Sequence, residues 1–126
     1  MTNPMKAELL AFALGLPEAW EDHPWGESVA KVGKKVFVFF GDDASERARS
    51  FTVKLRESHD EASAMGWTAD PGYGLGRGGW LTVTVPDDAP MDLLQAWILE
   101  SYRAVAPKRL VAMLEDEQRR GPEVSR

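Results

Sequence analysis

Two short clusters hold the residue types from which catalytic and metal sites are usually built. Glu21-Asp22-His23 sets two carboxylates beside an imidazole, an ordinary donor set for a divalent metal. Adjacent positions rarely aim at one ion, however, and no second cluster supplies further ligands, so no metal is expected. Ser58-His59 pairs a hydroxyl with an imidazole, but neighbouring side chains in a helix point apart and make no nucleophile–base couple. His59 also falls in a first helical turn, where the helix dipole disfavours an imidazolium. The chain has no cysteine, which removes disulfides, thiolate metal sites and thiol nucleophiles together and fits a reducing compartment. Gly74-Leu75-Gly76-Arg77-Gly78-Gly79 spells G-x-G-x-x-G, yet a dinucleotide site needs that pattern between a strand and a helix. Here Asp70-Pro71 precedes it and a strand opening at Trp80 follows. The expectation is a protein with no catalytic residue and no cofactor.

What remains is charge. From Ser28 to Arg56 there are seven basic residues (Lys31, Lys34, Lys35, Arg47, Arg49, Lys54, Arg56) against three acidic ones, inside a chain whose net charge is −5. A local basic face on an acidic protein can attract an anionic partner while the overall field opposes it. The same lysines equally suit strands that simply turn a wet face to water.

The elements that must carry these residues follow from periodicity. Asn3-Pro4 starts a helix over about residues 4–14, with Gly15 as its stop. Leu16–Glu27 reads as a loop punctuated by Pro17 and Pro24, with Trp25 as its anchor. Ser28–Val32 and Lys35–Gly41 form a hairpin across Gly33-Lys34, where glycine first suits a type II′ turn. Val36–Phe40 is apolar on both faces, as in a central strand. Asp42–Arg47 is a polar connection, and Phe51–Arg56 alternates as a third strand with one wet face. Ser58 and Glu61 match a capping box for a short helix ending at Gly66. A loop with five glycines between Gly72 and Gly79 then feeds the strand Trp80–Val85, where Leu81, Val83 and Val85 alternate with threonines. A last helix begins near Asp87–Pro90, carries Leu94, Trp97, Ile98, Ser101, Tyr102 and Val105 at helical spacing, and is interrupted at Pro107. Leu110 and Leu114 continue the stripe.

This order predicts an α+β two-layer sandwich, an antiparallel sheet with helices on one face, arranged α-β(3)-α-β(2)-α. A single domain spans 1–117, and 118–126 reads as a flexible tail. The N-terminus has no signal-peptide pattern and no apolar run approaches a membrane span, so a soluble cytoplasmic monomer is expected.

Three blocks in this order resemble the MmcQ/YjbR-like bacterial proteins. The first is Pro24-Trp25-Gly26-Glu27-Ser28 through Gly33 to Phe37. The second is Pro71-Gly72-Tyr73 with Trp80 and Thr82-Val83, and the third is Leu93-Leu94 leading to Ser101-Tyr102 and Val105. The likeness runs from about Leu9 to Leu114. It implies a compact α+β domain similar to frataxin-like and secretion-chaperone-like folds, and a DNA-binding role through two β-hairpin wings. By position the wings are Ser28–Gly41 and Pro71–Val85, which makes Lys31, Lys34, Lys35, Lys54 and Arg77 the implied contact residues. The second wing departs from the family pattern, since glycines stand where polar and basic residues are usual; Arg77 alone can donate there by its side chain. Three phosphate contacts (Lys34, Lys35, Arg77) imply a slope of log affinity on log salt of about −2.7 and a dissociation constant near 10⁻⁴ M or weaker. The alternative reading is a protein- or peptide-interaction module that uses the aromatic supply of Trp20, Trp25, Trp67 and Tyr73.

Overall fold

A computed structural model of the chain describes residues 4–24, 27–41, 50–72 and 78–120. Its elements, in order, are α1 (Pro4–Leu14), β1 (Ala19–Asp22), β2 (Ser28–Val32), β3 (Lys35–Gly41), β4 (Ser50–Lys54), α2 (His59–Ala64), β5 (Thr68–Ala69), β6 (Trp80–Thr84), α3 (Met91–Val105) and α4 (Lys108–Arg120). The strands form one antiparallel sheet in the order β1-β2-β3-β4-β6-β5. The α+β reading and the single helical layer hold, with one strand more than expected ahead of α2. That strand, β1, lies inside the stretch read as a loop. Four residues containing two acids and enclosed by Pro17 and Pro24 give too short an alternation to signal a strand. Pairing with β2 creates it.

The turn at Gly33-Lys34 is as expected. Gly33 takes φ +64° while Lys34 keeps an ordinary backbone, the signature of a type II′ hairpin. Two register shifts then bend β3 against β2: Ala30 pairs with Val38 but Lys31 with Val36, and Val29 pairs with Phe39 but Ser28 with Gly41. Phe37 and Phe40 are the extra residues of these β-bulges. The bulges turn Phe37, Val38 and Phe40 all into the helical side, while Val36 and Phe39 stay half-buried on the other.

The core lies between the sheet and the helices. Phe51, Val53, Leu81 and Val83 meet Leu9, Ala13, Leu94, Trp97, Ile98 and Tyr102 there. Tyr102 sets its ring edge-on to Phe37 at 5.3 Å and donates its hydroxyl to the carbonyl of Pro17 at 2.8 Å. Burial raises the Tyr102 phenol above its usual range, helped by the charge of Glu18. Pro107 divides α3 from α4, and Leu110 and Leu114 keep α4 on the core. The α4 backbone stays helical to Arg120, past Gln118, where the tail was expected to begin.

The capping box at α2 is not formed, for Ser58 makes no side-chain cap. Glu100 of α3 does the work instead, its Oε2 accepting the amides of Glu57 at 2.8 Å and Ser58 at 2.9 Å. Burial pushes this carboxyl up, but the amide hydrogen bonds outweigh it and hold Glu100 below its ordinary value. Asn3, the connection 42–49 and the tail 121–126 lie outside the described residues. No helix among the described residues is long and apolar enough to cross a membrane.

Candidate nucleic-acid interface

Residues paired across an antiparallel ladder share a face, so register assigns the side of the sheet that the helices leave open. Trp20 pairs with Lys31 and Lys31 with Val36; Asp22, Val29, Phe39, Thr52 and Thr82 form a second row; Lys54 pairs with Trp80. Thr52 and Lys54 alternate with the core residues Phe51, Val53 and Leu55, which places both on the open side. Thr52 and Thr82 share a hydroxyl hydrogen bond of 2.8 Å, and Trp80 meets Phe39 edge-on at 5.4 Å.

The same register fixes which end of the sheet these residues occupy. Because Val38 pairs with Val53, the start of β3 lies at the level of the end of β4. The hairpin tip with Lys34 and Lys35, the end of β4 with Lys54 and the start of β6 with Trp80 therefore share one end. Lys34 and Lys35 are both exposed there, and Lys54 is half-buried. Lys35 pairs with the core residue Val32, however, so it leaves the turn on the helical side, and Lys34 at the tip and Lys54 are the lysines that border the open face. Trp20 joins them: its Nε1 donates to the Gly33 carbonyl at 3.0 Å, which lays the indole along the turn.

Lys31 differs from the other lysines. Its Nζ is 3.1 Å from Asp22 Oδ2 and 4.9 Å from the centroid of the Trp20 ring. The hydrogen bond from Lys31, backed by the His23 amide, holds the Asp22 carboxyl below its usual range. Lys31 is thus already neutralised. It steadies Trp20 more than it offers a charge to a ligand.

The Glu21-Asp22-His23 cluster makes contacts of its own. Ser28 Oγ donates to Glu21 Oε2 at 2.7 Å, and His23 Nε2 lies 3.1 Å from the same carboxylate oxygen. Among the described residues no group of three His, Cys, Asp or Glu is placed to hold an ion.

The family-motif residues take mainly structural positions. Gly33 makes the hairpin turn, Phe37 and Tyr102 pack together, and Pro24 is exposed. Gly72 takes φ +87° and donates its amide to Asp70 Oδ1 at 2.8 Å. Gly79, at φ +93°, passes so close to β4 that an added Cβ would lie 2.9 Å from the Leu55 carbonyl oxygen. Its own carbonyl accepts the Leu55 amide at 2.9 Å. Trp25, Gly26, Tyr73 and Arg77 lie outside the described residues, so the contact expected of Arg77 has no described position.

Sequence reasoning missed Trp20 as part of this cluster, along with Asp22, the partner of Lys31. The signal was absent because both sit on β1, which has no strand pattern of its own.

Comparison with known proteins agrees with this architecture. The crystal structure of Deinococcus radiodurans protein DR2400, which carries the family-model domain DUF419, superposes with a TM-score of 0.65 at 26% identity, covering 83% of this chain and 82% of that one. No curated protein matches. The YjbR family model matches residues 14–104, from the end of α1 to the last turn of α3. The chain belongs to the YjbR family.

Proposed function

We propose that this protein is a non-enzymatic, cytoplasmic nucleic-acid-binding module that holds phosphates at the basic end of its open sheet face. Lys34 at the tip of the β2–β3 hairpin and Lys54 at the end of β4 make the contacts; Lys35, paired with the core residue Val32, lies towards the helical side. The observation that most supports this reading is register, which gathers these cations at one end of a molecule that is acidic overall. Lys31, paired with Asp22, is not counted among them. A peptide guest is less well supported, because the aromatic residues of this face lie among cations.

Two phosphate contacts give weak, sequence-independent binding with a salt slope of about −1.8 on duplex DNA. Fluorescence anisotropy with a labelled oligonucleotide at low salt tests this. Binding that weakens with salt and is lost in Lys34→Glu/Lys54→Glu supports the reading. Absence of any salt-dependent binding ends it.

A further inference from the structure

We infer that the nucleic acid taken by this face is single-stranded, its unpaired bases stacking on Trp20 and Trp80 while Lys34 and Lys54 hold the phosphates. The inference rests on the nucleic-acid reading above and narrows it to one form of the polymer.

Rings and cations are interleaved on this end of the sheet. Trp20 is 44% exposed, a large value for an indole on a strand. It is also fixed, its nitrogen bonded to the Gly33 carbonyl and one of its faces carrying Lys31. A ring already held in place loses little freedom when a base stacks on it. Trp80, half-buried, is held edge-on by Phe39 and stands beside Lys54 in the register. Phosphate binding alone would need only the lysines and would make no use of the exposed surface of Trp20.

A duplex keeps its bases stacked inside and presents phosphates at one charge per about 1.7 Å of axis, which the acidic remainder of this chain repels. A single strand carries less charge per length and exposes base faces. Sheet surfaces that read it combine aromatic platforms with a basic track. This end of the sheet offers both, within the reach of a few nucleotides.

The test uses the full chain at low salt with two labelled probes, an oligo(dT) and a mixed-sequence duplex of equal length. The expected result is at least about tenfold tighter binding of oligo(dT), accompanied by quenching of tryptophan fluorescence that the duplex does not cause. Trp20→Ala, with its fold checked by circular dichroism, should lose about five- to a hundredfold in affinity for oligo(dT), while Trp20→Phe keeps most of it. If Trp20→Ala does not fold, the contrast in quenching between the two probes on the wild-type chain decides alone. Equal binding of both probes without quenching overturns the inference and leaves the phosphate-binding reading standing. If neither probe binds, both fall.

Discussion

The hydroxyl of Ser101 donates to the carbonyl oxygen of Phe37 at 2.5 Å, and its Oγ in turn accepts the amide of Lys54 at 2.8 Å. By register Phe37 and Lys54 would form the next rung between β3 and β4, but the ladder pairs only Val38 with Val53 and Phe39 with Thr52. A side chain from α3 completes the rung. One fully buried hydroxyl therefore joins the helical layer to the end of the sheet that carries Lys54.

Ser101→Ala leaves a carbonyl and an amide without partners in a water-poor site. Each such group costs about 1–3 kcal/mol, so a loss of roughly 2–6 kcal/mol is expected in urea unfolding. Nucleic-acid affinity should fall as well, because Lys54 loses its anchored backbone.

Gly79→Ala fails for a different reason. The φ of +93° suits glycine, and the new methyl would meet the Leu55 carbonyl at 2.9 Å, backbone against backbone. A loss of more than about 1 kcal/mol is expected, read as a lower thermal midpoint. Gly72→Ala has open space around it and should cost less, since only its φ of +87° is unfavourable.

Glu100 gives the fold a pH dependence of definite sign. Its carboxyl is held below its ordinary value of 4.5, so the folded state favours the carboxylate more than the unfolded chain does. The stabilisation is complete above that ordinary value and disappears as pH falls through the lower, folded one. Glu100→Gln should therefore lower stability at neutral pH, by about 1 kcal/mol as for loss of a helix cap. The gap between variant and wild type should close as thermal unfolding is repeated at acidic pH.

Much of this was legible in local pattern. The hairpin at Gly33, the α3 stripe through Tyr102, the break at Pro107 and the strand opening at Trp80 each need only a few neighbouring residues to declare themselves. Glu100 does not, for it caps a helix forty-two residues upstream, a distance no capping pattern spans. Nor does the pairing of Lys31 with Asp22, which depends on β1 meeting β2 in one register. A lysine's charge can be read from sequence, but whether a carboxylate has already claimed it is decided by strand pairing.

That pairing makes a prediction for binding. Asp22→Asn removes the charge that neutralises Lys31 while leaving an acceptor for the His23 amide. Lys31 then becomes a third phosphate contact. Affinity should rise, and the salt slope should steepen by about 0.9 in the same anisotropy titration.

Strand β1 has one further consequence. It forms an outer margin of the sheet, and it is only four residues long, two of them the acids Glu21 and Asp22. A second molecule adding a strand there would find few residues to pair with, and charged side chains on a short edge strand discourage such pairing. The margin is thereby shielded from serving as a template for fibrous self-association, even in a crowded solution of identical chains.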